Sequence, residues 1–138
     1  MSAPRSPAAE AVELAGRLGR AMARPGVSAR EVADLVAGDV HDDGAPLGLR
    51  AQPDRGGVDT VAVTRRWGSE EPDTAEIVLE HGLPLAALEA EFGAARRIPR
   101  SPHGRENVVL SVDDGGWTVL AGLDDGDVVR ALTVRRDS

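Results

Sequence analysis

The sequence predicts an α+β fold of two layers, with helices on one face of an antiparallel sheet of about five or six strands. Three kinds of pattern favour this class of fold. Asp-Gly turns separate strand-like segments near the C-terminus, alternating apolar and polar residues mark two more strands, and three segments carry apolar residues at helical spacing. The expected order of elements is α-α-β-β-α-β-β-β.

The clearest pattern is a three-stranded antiparallel meander over residues 108–136. Its strands, 108–112, 117–123 and 128–136, are separated by two turns that contain the pair Asp-Gly. Asp and Gly tolerate the positive φ angles that tight hairpins require. The last strand ends with two arginines, and we expect it to be an edge strand, where charges hinder further pairing.

Helices are predicted over residues 7–23, 28–38 and 84–93. Pro and Gly mark both ends of the first helix and both ends of the third. The second helix begins with the most specific local signal in the chain, a capping box in which Ser28 is followed three residues later by Glu31.

Two further strands and two loops complete the prediction. Residues 58–67 and 74–80 alternate apolar and polar side chains, which is typical of a hairpin with one buried side. Residues 39–54 and 94–106 are rich in Asp, Gly, Pro or Arg and show no period. Both are therefore predicted to be mostly loop.

Composition limits the classes of function. The 138 residues suit one domain, 1–138, in which we expect 1–6 to be disordered, and 41% of the residues are hydrophobic. The aromatic residues are two tryptophans and one phenylalanine, and we expect Trp67 and Trp117 to be buried in the core. The net charge of −7 disfavours binding to nucleic acid or to an anionic membrane.

Residue usage also bears on location and chemistry. The chain has no cysteine and no apolar segment that suits a signal peptide or a membrane helix, so we expect a cytoplasmic location. All 16 basic residues are arginine, which together with the many Ala and Gly residues resembles the codon bias of a GC-rich actinobacterial genome. The lack of Cys, Lys and Tyr removes thiolate, Schiff-base and tyrosine acid chemistry.

The candidate binding site is an arginine-rich segment between the third helix and the meander. It contains four arginines and one histidine with no acid between them: Arg96, Arg97, Arg100, His103 and Arg105. Guanidinium groups hold carboxylates and phosphates, or contact an acidic protein. The other interpretation is a solvated loop whose charges are neutralised by nearby glutamates. The segment has no aromatic residue for base stacking, which disfavours nucleic-acid binding.

No catalytic residue, metal site or cofactor is predicted. His41, Asp42 and Asp43 are residue types that bind divalent metals, but adjacent residues rarely all face one ion, which favours a solvated turn. His81 stands alone in the sequence, and there is no Gly-x-Ser-x-Gly motif for a nucleophilic serine. Carboxylate acid–base chemistry is not tied to any particular Asp or Glu.

Residues 83–93, Leu-Pro-Leu-Ala-Ala-Leu-Glu-Ala-Glu-Phe-Gly, precede a proline-containing segment and strands that end Asp-Gly-Asp-Val-Val-Arg-Ala-Leu-Thr-Val at residues 125–134. Over residues 83–136 this resembles the helix-plus-meander unit of the β-lactamase inhibitor protein and of small outer-membrane assembly lipoproteins. The resemblance implies a helix-backed antiparallel sheet whose free surface binds other proteins. Residues 27–80 have a similar order of helix and strands, which is either a duplicated half-repeat or a chance likeness of short helices.

Two functions are compatible with these patterns. The first is a non-enzymatic cytoplasmic module, an immunity or regulatory protein, that binds an acidic protein with its free sheet face and the arginine-rich segment. The second is a small-ligand-binding protein or an enzyme with a cone-shaped sheet of the nuclear-transport-factor type, which requires an enclosed apolar pocket. A homo-oligomer formed through the edge strand that ends at Arg136 is a further expectation.

Overall fold

The structure is a computed structural model that describes residues 7–36, 38–42, 48–53, 57–66, 68–98, 106–112, 116–124 and 126–136. This part of the chain contains three helices, α1 (Pro7–Met22), α2 (Ala29–Ala33) and α3 (Leu85–Phe92). It also contains eight strands: β1 (Gly38–Asp42), β2 (Leu49–Pro53), β3 (Val58–Arg65), β4 (Pro72–Pro84), β5 (Arg96–Ile98), β6 (Glu106–Val112), β7 (Trp117–Asp124) and β8 (Val128–Arg136). Among the described residues, no helix is both long and apolar enough to cross a membrane.

All eight strands belong to one antiparallel sheet, in the order β1-β2-β3-β4-β8-β7-β6-β5. Each half of that order is a four-stranded meander, and the two meanders meet where β4 pairs with β8. One short helix precedes each meander, α2 before β1 and α3 before β5. The two ends of the sheet are therefore β1 and β5.

The predicted fold class, two layers with helices on one face of a sheet of five or six strands, is wrong in the size of the sheet and in the balance between strand and helix. The molecule is mostly sheet, and the sheet has eight strands. β1, β2 and β5 account for the difference, because they lie in the segments 39–54 and 94–106 that were predicted to be mostly loop. The backbone of these strands is extended because it pairs with neighbouring strands, as Arg97 of β5 pairs with Val108 of β6. Such pairing joins residues that are distant in sequence, so the local pattern of apolar and polar residues does not predict it.

The prediction that the last strand lies at a sheet edge is also wrong. β8 lies between β4 and β7. Arg135 is across from Thr74 on one side and Thr118 on the other, and Arg136 Nη1 lies 3.7 Å from Glu71 Oε2. These two arginines therefore do not protect an exposed strand edge.

The C-terminal meander and the capping box are confirmed. β6, β7 and β8 pair in sequence, and Gly126 and Asp127 in the second turn have φ angles of 77° and 57°. The Ser28 side chain accepts the Glu31 N–H at 3.1 Å, and the Glu31 carboxylate accepts the Ser28 N–H at 3.4 Å. Trp117 is buried as predicted, whereas Trp67 lies outside the described residues.

One transverse row of side chains, which we call the inner row, joins the sheet to the helices. Strand pairing aligns Val40, Ala51, Val61, Ile77, Leu132, Ala121, Val108 and Arg97 across the sheet. Its six central members are at most 3% exposed and share one hydrophobic core with the apolar residues of α1, α2 and α3. The core is built from Ala, Val and Leu, as the shortage of aromatic residues requires.

The pairing of β3 with β4 and of β4 with β8 is interrupted by register shifts. The register shifts between Val58 and Thr60 on β3 and between Val78 and Leu83 on β4. Bulges increase the local twist and change the direction of a strand. β4 pairs with β8 again at Leu83 and Pro84, and the next residue, Leu85, donates its N–H to the Asp127 carbonyl at 3.0 Å. The start of α3 is thereby fixed to the turn between β7 and β8.

Candidate functional site

A second transverse row, which we call the outer row, lies on the opposite side of the strands from the inner row. Strand pairing aligns one residue of each strand, in sheet order His41, Arg50, Ala62, Glu76, Thr133, Leu120, Val109 and Arg96. Each of them is adjacent in sequence to a member of the inner row, and neighbouring residues of a strand point to opposite sides of a sheet. The outer row therefore faces away from the core.

The outer side of the sheet carries an apolar patch. We define the outer apolar patch as Val78, Val109, Leu120 and Ala131, which lie on four consecutive strands. None of the four belongs to the hydrophobic core or to the side chains packed against it. Val109 is only 8% exposed and the other three are half-buried. Ile98 of β5 is 39% exposed and lies in the same transverse line as Val78 and Ala131, so it extends the patch to the sheet edge.

Charged residues border the outer apolar patch. Arg96 is directly across from Val109, and Arg135 lies two residues beyond Thr133 on β8. Both arginine side chains are exposed, and so is Glu76, which is across from Thr133. An apolar centre with a charged rim is the usual composition of a protein–protein interface.

Threonines occupy much of the remaining outer side. Thr64 and Thr74 lie across from each other, their hydroxyl groups are hydrogen-bonded, and Thr64 Oγ1 also accepts the Thr74 N–H at 3.3 Å. Thr133 lies in the outer row, and Thr118, across from Arg135, is 7% exposed. β-Branched side chains have few rotamers, so little conformational entropy is lost when they are covered.

The predicted arginine site is only partly assembled. Arg96 and Arg97 are both exposed on β5, but they are consecutive residues of a strand and point to opposite sides. Arg97 Nη2 donates to Asp127 Oδ2 at 2.9 Å, which holds its guanidinium at the turn beside α3. Of these two arginines, only Arg96 lies in the outer row. Arg100, His103 and Arg105 lie outside the described residues.

Two clefts lined by described residues are open to solvent. A cleft of about 620 Å³ separates α1 from α3 and is lined by small residues together with the charged residues Glu13, Arg20 and Glu91. A second cleft, of about 310 Å³, lies at the start of α3 beside Arg97 and Asp127. The nuclear-transport-factor interpretation requires an enclosed apolar pocket between the helices and the sheet. Neither cleft is such a pocket, because Arg97 is the one member of the inner row that lines either of them.

The structure describes two of the three histidines, His41 and His81, and they lie on different strands. His41 is exposed on β1, within a segment predicted to be a turn, and Asp42 follows it in the strand, whereas Asp43 lies outside the described residues. His81 is exposed on β4. Within the residues that the structure describes, no group of three or more His, Cys, Asp or Glu side chains is placed to hold a metal ion.

The outer apolar patch was missed by the sequence interpretation, although a signal for it exists. Val108 and Val109 are consecutive, and residues 117–123 contain only one polar side chain, Thr118. A continuous apolar run in a strand indicates that both of its sides are apolar. A strand with apolar residues on both sides does not alternate, so a prediction based on alternation does not identify the apolar outer side.

Comparisons with known proteins give one structural likeness and no relative in sequence. The chain resembles the crystal structure of YjgB, a DUF4309 family protein from Bacillus subtilis subsp. subtilis str. 168, with a TM-score of 0.54. The two chains are 9% identical, and the likeness covers 91% of this chain and 97% of that one. At this identity the likeness shows a shared fold alone. No family model matches the sequence, and no curated protein matches it.

Proposed function

We propose that this protein is a non-enzymatic protein-binding module of the cytoplasm, an immunity or regulatory protein, whose outer sheet surface receives an acidic partner protein. The observation that carries this proposal is the outer apolar patch. Burial of such a patch by a partner removes apolar area from water at about 25 cal/mol per Å². Contiguous apolar side chains on the surface of a soluble domain commonly mark an interaction site.

Charge supports an acidic partner. The chain as a whole carries a net charge of −7, which disfavours approach of another acidic protein. Arg96 and Arg135 border the outer apolar patch, and neither guanidinium forms an ion pair with a carboxylate in the described part of the chain. The border of the patch therefore carries two arginines and one acid, Glu76, whereas the chain as a whole is strongly acidic. The two arginines favour encounter with an acidic partner in one orientation.

The resemblance of residues 83–136 to the helix-plus-meander unit of the β-lactamase inhibitor protein is part of the same proposal. In that group of proteins, the free surface of an antiparallel sheet binds other proteins. Function does not follow from architecture, so the proposal depends on the outer apolar patch and its arginines.

The proposal is tested by measuring affinity for the products of the genes that adjoin its own. For the product that binds, Arg96→Glu and Leu120→Thr are each expected to weaken the affinity by about tenfold or more, because one reverses a contact charge and the other removes apolar area. Leu120→Thr retains a side chain that suits a strand. The matched control is Arg24→Glu, an equal charge change at an exposed position after α1.

A different variant tests the competing surface. Ala90→Arg places a large side chain at an exposed position in the cleft between α1 and α3. We expect it to leave the affinity unchanged. If Ala90→Arg abolishes binding while Arg96→Glu and Leu120→Thr do not alter it, the partner binds the helices and the proposal is wrong.

A further inference from the structure

The two ends of the sheet are free strand edges in the described part of the chain. There, β1 pairs with β2 and no other strand, and β5 pairs with β6 and no other strand. In an antiparallel ladder the backbone N–H and C=O groups of alternate residues point away from the paired strand. Each end therefore presents backbone groups to which a further strand can bind.

The two edges differ in charge. β5 has the sequence Arg-Arg-Ile, and all three side chains are exposed. β1 carries the exposed carboxylate of Asp39. Pairing of β5 with β5 of another copy would bring arginines together, and pairing of β1 with β1 would bring acids together, so like charges oppose both. Pairing of β1 with β5 brings opposite charges together.

Strand direction permits this unlike pairing. Each strand runs antiparallel to its neighbour across the eight-stranded order, so β1 and β5 run in opposite directions. A copy moved along the sheet and rotated to follow its twist would thus add its β1 to β5 as one more antiparallel strand. Asp39 and Arg96 both lie on the outer side, since Asp39 is two residues from His41 of the outer row. Arg96 lies directly across from Asp39 of the next copy in one register. In a second register Arg96 lies across from His41 and is diagonal to Asp39.

We propose that copies of this chain associate head to tail, with β1 of one copy paired to β5 of the next. The interface is heterologous, so it does not close at a dimer and the assembly lengthens with concentration. The contact is limited by the three-residue length of β5, and we expect association to be weak when copies are free in solution.

The consequence goes beyond the proposed function. Sheet continuation keeps the outer side of every copy on the same face of one continuous sheet, and the twist of that sheet turns this face around the long axis of the assembly. Successive outer apolar patches would then lie in one line, and a partner with repeated binding segments would gain avidity without any new contact.

Sedimentation velocity on the full chain, from micromolar to about millimolar concentration, tests the proposal. The wild type is expected to form dimers and longer species as concentration rises. Arg96→Glu places an acid opposite Asp39, and Asp39→Arg places a base opposite Arg96, so each variant alone is expected to remain monomeric. An equimolar mixture of the two is expected to regain association, because each copy then meets a complementary edge on the other.

Several outcomes would overturn the proposal. The wild type could stay monomeric at the highest concentration, or the single variants could associate as the wild type does. The mixture could also stay monomeric although circular dichroism shows that both variants are folded. Asp39→Arg also separates this inference from the proposed function, because Asp39 is distant from the outer apolar patch. It should abolish self-association and leave the affinity of the monomer for its partner unchanged.

Discussion

Trp117 is the residue on which the helices and the sheet converge. Its ring makes a T-shaped contact with the ring of Phe92 of α3, with ring centroids 5.6 Å apart and an angle of 85° between the planes. The same side chain lies against Gly19 of α1 and is 2% exposed. Its indole Nε1 is buried and has no hydrogen-bond partner among the residues that the structure describes, which carries a cost that the surrounding apolar contacts must offset.

The contact between α1 and Trp117 makes the size of residue 19 critical. A Cβ at Gly19 would lie 2.2 Å from Trp117 Cε3, so the helix or the ring would have to move. We expect Gly19→Ala to lower the free energy of unfolding by about 1–3 kcal/mol, the usual cost of overpacking, despite the higher helix propensity of Ala. Urea denaturation measures the change.

Gly16 supplies the control in the same helix. A Cβ there would lie 3.3 Å from the nearest atom, a nitrogen at the flexible end of the Arg20 side chain. Gly16→Ala is therefore expected to raise the free energy of unfolding by about 0.5–1 kcal/mol. Equal effects of the two substitutions would show that the close contact at Gly19 does not limit packing.

At the scale of single elements, α2 depends on its first turn. The helix has five residues, too few to be stable by propensity alone, and the capping box satisfies backbone N–H groups at its start. Ser28→Ala is expected to lower the free energy of unfolding by about 1 kcal/mol, because the Glu31 N–H loses its acceptor. Thermal or urea unfolding checks this value.

Glu31→Gln is the comparison that isolates the hydrogen bond from the charge. A glutamine side chain can still accept the Ser28 N–H, so this variant is expected to keep most of the stability that Ser28→Ala loses. A loss from Glu31→Gln as large as that from Ser28→Ala would indicate that charge near the helix start, not the capping box, stabilises α2.

The elements that could be predicted are those with a local cause. The capping box at Ser28, the Asp-Gly turn before β8 and the alternation in β3 all act within a few residues. β5 could not be predicted, because Arg96, Arg97 and Ile98 are extended only through pairing with β6. The candidate site divides in the same way: Arg96 was identified from its charge, but the separation of Arg96 from Arg97 depends on strand register.

At the scale of the whole molecule, the two meanders form one sheet through the central β4–β8 pair. Ile77 and Leu132, which face each other there, are fully buried, whereas Ile98 on β5 is 39% exposed. Amide hydrogen exchange is expected to be slowest at Ile77 and Leu132, where opening approaches global unfolding, and faster at Ile98. Equal protection at Ile98 in a dilute monomer would contradict this order of local stability.

We propose that a protein partner binds the side of the sheet that faces away from the core. The most direct test is a titration of methyl-labelled protein with its binding partner, followed by NMR. Val108 and Val109 are adjacent on β6 but face opposite sides, so each serves as a control for the other. We expect the methyl signals of Val109 and Leu120 to change chemical shift early and strongly in the titration, and those of Val108 to change less. Unchanged Val109 and Leu120 signals, together with a shifted Ala90 methyl group, would contradict it.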